Sequence, residues 1–90
     1  MAEAADRLEN SILFDYYANL LTDRQRDCWD LYFNVDLSLS EIADFQGISR
    51  QGVWDNIRHA SERLREIEEK TGLVARINEL ESQLAELRGK

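Results

Sequence analysis

Ninety residues, 43% of them apolar, with no proline and four glycines, make one small helical domain with a modest core, marginal enough alone that a partner or a dimer is expected. A single cysteine rules out an internal disulfide, and with one histidine the chain is short of the ligands a zinc site needs. The formal net charge of −7 argues against the strong, indiscriminate hold on nucleic acid that basic proteins have.

The first residues, "MAEAADRLEN", lack the basic-then-apolar layout of a secretory signal, and no apolar run approaches the ~20 residues of a membrane span. A cytoplasmic protein is therefore expected. The first predicted helix covers about Ala5 to Leu21. Leu8, Ile12, Leu13, Tyr16, Tyr17 and Leu20 recur along it at helical spacing as one apolar stripe, for the core or for a dimer interface. Thr22 and Gln25 form a capping box that opens a second helix, from Asp23 to about Phe33. Cys28, Leu31 and Tyr32 are expected inside, with Trp29 near the edge. Cys28 has no nearby base and reads as a small buried hydrophobe, not a nucleophile.

"NVDL" breaks the pattern. Ser38 and Glu41 then form another capping box, and the third helix runs from Leu39 to Gln46 with Leu39, Ile42 and Ala43 inward. Gly47 ends it, since glycine takes the left-handed conformation cheaply. Ser49 caps the fourth helix. Val53, Ile57, Ala60, Leu64 and Ile67 face inward along it, and it extends to about Lys70, some 30 Å at about 1.5 Å per residue. "KTGL" carries a stop at Gly72. A fifth helix follows, with Leu73, Ile77, Leu80, Leu84 and Leu87 spaced by four and three, a seam of about two heptads that either pairs between chains or folds back on the bundle. The chain thus divides into a helix-turn-helix domain over 1–71 and a C-terminal helix over 72–90.

The centre of the chain has the parts of a helix-turn-helix. Ala43 permits close helix approach, Gly47 makes the turn, Ile48 and Val53 fill the space between, and a capped helix presents its start to a groove. Arg50, Gln51, Trp54 and Asp55 lie on that exposed start, and Arg58, His59, Arg63 and Arg65 follow. Arg50 and Gln51 are suited to reading bases or holding phosphates, and Arg58 to holding a phosphate. A plain helical hairpin with a solvated face fits the same pattern. Charge is uneven: residues 49–65 carry four arginines against Asp55 and Glu62, while residues 1–37 carry three arginines against eight acids. A basic strip on an acidic body gives local contacts without long-range attraction, and the body suits a basic protein partner.

His59 reads as an exposed helix histidine beside arginines. Trp54, one step beyond the core residue Val53, either stacks on a base, anchors a protein contact or lies along a neighbouring helix. Glu66, Glu68 and Glu69 read as a solvated face. No glycine-rich phosphate loop and no paired carboxylates beside a base are present, so no catalytic residue, metal or cofactor is expected.

"LLTDRQR", "DLSLSEIA" and "GISRQGVWDNI" together resemble the YlxM family of small bacterial helix-turn-helix proteins, and the similarity runs from about Ile12 to Leu73. The module also resembles region 4 of bacterial sigma factors. The resemblance implies an all-α fold: a five-helix bundle with a sigma region 4-like helix-turn-helix and a coiled-coil-like last helix. It also implies a tie to the signal recognition particle pathway, with that particle's RNA or its targeting GTPase as partner. By position, Ser49, Arg50, Gln51, Asp55, Asn56 and Arg58 fall in the family's recognition-helix motif. Gln46 stands where an apolar residue is usual in the family, with Phe45 displaced by one. The expected function is a nucleic-acid-binding accessory of that pathway acting as a homodimer. A DNA-binding transcriptional regulator on duplex DNA and a protein-protein adaptor are the alternatives.

Overall fold

The computed structural model describes the backbone of residues 2–89 and the side chains of residues 7–89; residues 1 and 90, the outer limits of the two expected segments, lie outside the described residues. The fold is all-α. Its elements are α1 (Ala2–Tyr17), a 3-10 turn (Ala18–Leu20), α2 (Asp23–Phe33), α3 (Leu39–Gln46), α4 (Arg50–Thr71) and α5 (Leu73–Arg88).

Local sequence signals set these boundaries. Thr22 and Gln25 close a reciprocal capping box, with both bonds at 3.2 Å. Ser38 and Glu41 close a second, with both at 3.1 Å. Each box satisfies two amide groups that a helix start leaves orphaned. The Ser49 hydroxyl accepts from the Gly52 amide at 2.9 Å and opens α4. Gly47 sits at φ 71°, and the Gly47 and Ile48 amides both bond the Ala43 carbonyl, at 2.9 and 3.1 Å, which closes α3 in a Schellman-type turn. Between α2 and α3, Asp36 takes the left-handed conformation at φ 64°, one that aspartate tolerates better than most residues.

α4 is the axis of the molecule, with α1, α2 and α3 packed against it. Val53, Ile57, Ala60, Leu64 and Ile67, all expected inside, are all buried. They meet Leu13, Phe14 and Tyr17 of α1, Leu21, Cys28 and Trp29 around α2, and Ile42 and Ala43 of α3 in one apolar core. Arg24 of α2 donates to the Gln46 carbonyl at 3.2 Å, which ties α2 to the end of α3.

Burial departs from expectation at Trp29 and Glu68, and sorts the residues of the α1 stripe. Trp29 is not near an edge: it is 1% exposed. Its ring stacks on Phe14 at 4.2 Å, and its Nε1–H donates to the Ser61 hydroxyl at 3.3 Å. The indole therefore fills the space between α1, α2 and α4, with its one polar atom satisfied. The α1 stripe divides: Leu13 and Tyr17 enter the core together with Phe14, while Leu8, Ile12, Tyr16 and Leu20 are exposed. Stacking Phe14 on Trp29 fixes that division and brings Asn10 inside, where its side-chain oxygen accepts from Arg65 at 3.4 Å. Finally, Glu68 does not belong to a solvated face. Its carboxylate accepts the Tyr17 hydroxyl at 2.6 Å and the Val74 and Ala75 amides at 3.0 Å each.

That carboxylate sets the junction of α4 and α5. Gly72, at φ 61°, both ends α4 and opens α5. Glu68 reaches across it to cap the first turn of α5, where a negative charge also meets the positive end of the helix dipole. Beyond Val74, which is buried, Ala75 and Asn78 border a groove against Glu9, Ile12 and Leu13 of α1, and the later turns of α5 are exposed. The molecule is accordingly long, 54 × 24 × 22 Å. α5 does not fold back over the bundle: Leu73, Leu80, Leu84 and Leu87 stay exposed.

Candidate nucleic-acid interface

The starts of α3 and α4 open on one groove. Ser38 and Ser40 border it from α3, and Ser49, Arg50, Gln51 and Trp54 from α4; its volume is about 840 Å³. The arrangement follows from the turn. Gly47 reverses the chain within three residues, so two capped helix starts come to lie side by side. Each start presents amide groups without partners inside its own helix and the positive end of a helix dipole, both suited to an anion. The Arg50 guanidinium and the Ser40 hydroxyl complete the rim, beside Ser38 and Ser49, whose hydroxyls accept from the Glu41 and Gly52 amides.

The residues expected at the interface divide by what they touch. Arg50 is exposed and makes no ion pair among the described residues. Gln51 is exposed and donates to Asp55 at 3.0 Å. Arg58 lies between two carboxylates, 3.4 Å from Asp55 and 3.6 Å from Glu62. Arg63 lies 3.5 Å from Glu66. Asn56 is half-buried and turned onto its own helix, donating to the Gly52 carbonyl at 2.8 Å. His59 is exposed, one turn beyond Asp55 and on the side away from the core. Ser49 is committed to its cap. Trp54 is 43% exposed, with its ring edge toward Tyr32 of α2 at 6.5 Å. It thus lies along a neighbouring helix and still shows a face to solvent. On its other side is a second, smaller groove of about 240 Å³ bordered by Phe33, Arg58 and Arg65.

The electrostatics are therefore local. The hydrogen bond from Gln51 first, and then Arg58, hold the Asp55 carboxyl below its ordinary range against the cost of desolvation. Lys70 and then Arg63 do the same for Glu66. Two of the four α4 arginines spend charge on neighbours one turn away, and Arg50, at the helix start, does not. The pairing at steps of three and four is readable in the sequence. The groove's α3 side is barely marked in the sequence. Its only sequence signal is the serine that follows Leu39 inside the first turn of a capped helix, a position whose side chain points out of the bundle.

Among the described residues no group of three or more His, Cys, Asp or Glu side chains is placed to hold a metal ion, and no helix is long and apolar enough to cross a membrane. Cys28 is buried, and desolvation pushes its thiol upward.

Comparison with known proteins matches residues 4–90 to the UPF0122 family, described as "Putative helix-turn-helix protein, YlxM / p13 like". A UPF0122 protein of Thermoanaerobacter sp. (strain X514) is 42% identical over 83 residues, which are 92% of this chain and 71% of that protein. One from Shouchella clausii (strain KSM-K16) is 47% identical over 81 residues, 90% of this chain and 74% of the relative. A third, from Bacillus cereus (strain AH187), is 42% identical over 88 residues, 98% of this chain and 78% of the relative. With the α3–turn–α4 unit in place and a family match that spans nearly all of its length, the chain belongs to the UPF0122 family of YlxM-like helix-turn-helix proteins.

Proposed function

We propose that this protein is a nucleic-acid-binding accessory or regulatory factor of the signal recognition particle pathway, working in the cytoplasm as a homodimer and by binding, not catalysis. The single observation that supports nucleic-acid contact is the groove where the starts of α3 and α4 meet under an Arg50 with no ion pair among the described residues. Ser49, Arg50, Gln51, Trp54, Asp55, Asn56, Arg58, His59 and Arg63 are the proposed contact region. Arg50 and the paired helix starts hold phosphate, and Gln51 and Trp54 meet bases. The pathway assignment rests on the family resemblance alone, which points to the particle's RNA or its targeting GTPase.

The same geometry limits the affinity. Few cations are available to displace counterions, so log affinity against log salt has a shallow slope, about −2 to −4 for two to four phosphates. The test is a calorimetric titration with the particle's RNA and with duplex DNA across a salt series. Tight RNA binding with a shallow slope supports the proposal, and a preferred duplex site replaces it with a transcriptional regulator. Arg50→Glu with Arg58→Glu that leaves binding intact removes the α4 start from the interface.

A protein-protein adaptor is the second reading, favoured by a specific observation. Arg58 and Arg63 are internally paired on a body of net charge −7, which suits a basic protein surface better than a polyanion. Binding to neither nucleic acid, with retention on the targeting GTPase, selects it.

A further inference from the structure

We propose that α5 pairs with α5 of a second copy as a parallel two-stranded coiled coil. The inference rests on the homodimer reading above and is independent of what the α4 start contacts.

α5 runs beside α1 as far as Asn78 and carries an apolar seam along its whole length. Leu73, Leu80, Leu84 and Leu87 are exposed, Leu87 at 69%, and Ile77 is half-buried. An isolated helix of 16 residues is marginal in water, and tertiary or quaternary packing of its apolar face is what holds it. The residues around the seam are polar or small: Glu79, Ser82, Ala85 and Glu86 are exposed, while Asn78, with Ala75, borders a groove against Glu9, Ile12 and Leu13 of α1. The spacing by four and three places Leu73, Leu80 and Leu87 at d positions and Ile77 and Leu84 at a positions. Leu at every d position, with β-branched Ile77 at one of the two a positions, leans toward two strands.

A second copy is the occupant that charge and register select. In a parallel pair, Arg76 at a g position faces Glu81 at the following e position of the partner, and this happens twice by symmetry. Arg76 is 59% exposed at its side chain, with only a surface pair to Glu79 at 3.1 Å to give up. Parallel pairing also matches each of the five seam residues to its own counterpart. An antiparallel pair must set a against d, so one end of a d-a-d-a-d seam stays uncovered. In the parallel arrangement both bodies lie at the same end of the coil. The two α4 starts then work on one side, as in dimeric helix-turn-helix proteins that grip two half-sites.

The test combines mass, mutation and cross-linking. Sedimentation or light scattering should give twice the 10.5 kDa of one chain. Leu80→Asp should weaken self-association about a hundredfold or more, while circular dichroism shows the α1–α4 helices retained. Leu87→Cys should link two chains under mild oxidation, because like d positions adjoin only in a parallel pair; the buried Cys28 does not compete. Arg76→Glu should weaken association about threefold to tenfold, and adding Glu81→Arg should restore it. A single-chain mass at about 100 μM overturns this proposal together with the homodimer reading. A doubled mass that survives Leu80→Asp overturns pairing through α5 and leaves the homodimer standing. A dimer that depends on Leu80 but does not cross-link through Leu87→Cys overturns the parallel orientation.

Discussion

α4 and α5 carry the same apolar rhythm and meet opposite fates. Val53, Ile57, Ala60, Leu64 and Ile67 recur by four and three, and so do Leu73, Ile77, Leu80, Leu84 and Leu87. The first set is wholly buried under three neighbouring helices, and the second is largely exposed. Periodicity states which face of a helix must be covered. What covers it depends on where the neighbouring chain goes, and here the left-handed bend at Gly72, locked by Glu68, aims α5 away from the bundle.

The sharpest way to break this comparison is a matched pair of truncations. Leu64→Ala in α4 should cost about 2–5 kcal/mol of unfolding free energy, because a fully enclosed side chain leaves a cavity. Leu84→Ala in α5 should change the stability of the isolated chain by less than about 0.5 kcal/mol, as for an ordinary surface site. Denaturant melts at low protein concentration read both. Equal costs would mean that α5 is packed after all.

Next in size is the joint between the two helices. Glu68→Ala removes three hydrogen bonds to a carboxylate and should cost about 2 kcal/mol. Its pH signature has a definite sign. Although burial opposes it, the bonds from Tyr17, Val74 and Ala75 hold Glu68 below its ordinary value. The stability it contributes is therefore present above the unfolded value, about 4.3, and is lost as pH falls through the folded one. Desolvation and the bond to Glu68 push Tyr17 upward. Its contribution is complete below about 10 and is lost as pH rises through the folded value. Stability against pH should fall at both ends; Glu68→Ala should remove the Glu68 share of the acid limb and only reduce the alkaline one, because the burial of Tyr17 remains.

Gly47→Ala comes third. A Cβ at Gly47 meets no atom within 4 Å, so its cost is left-handed strain alone, about 1–2 kcal/mol. Thermal melts test this; a larger loss would point to a clash at the turn. Arg50→Ala should be the smallest in stability, within about 0.5 kcal/mol. Under the proposed function it weakens nucleic-acid binding about tenfold, an effect a calorimetric titration separates from folding.

Much of this fold is legible in the sequence because its signals are local. Thr22, Ser38 and Ser49 sit where a hydroxyl can reach an amide three residues on. Gly47 and Gly72 sit where the chain must turn left-handed. The five inward residues of α4 follow from spacing because three neighbours surround that helix. Legibility fails where two or more helices negotiate. Trp29 looks peripheral on the wheel of α2, yet α1 and α4 close over it. Leu8 and Ile12 look central on α1, yet the stack of Phe14 on Trp29 turns them out. Phe45, displaced by one from the usual apolar position, is 75% exposed, so the turn closes without it. The role of Glu68 depends on a hydroxyl 51 residues away, beyond the reach of any pattern in its own helix. At the candidate interface, the arginines could be placed on α4 from sequence. The convergence of the α3 start with them is a product of the turn.

The placement of the two tryptophans has a practical use. Trp29 is sealed against Phe14 while Trp54 stands at the boundary of both grooves, so one indole emits from a dry site and the other from a wet one. Fluorescence from a Trp54→Phe chain follows unfolding alone. The difference from the parent spectrum reports on whatever arrives at the start of α4, with no dye attached.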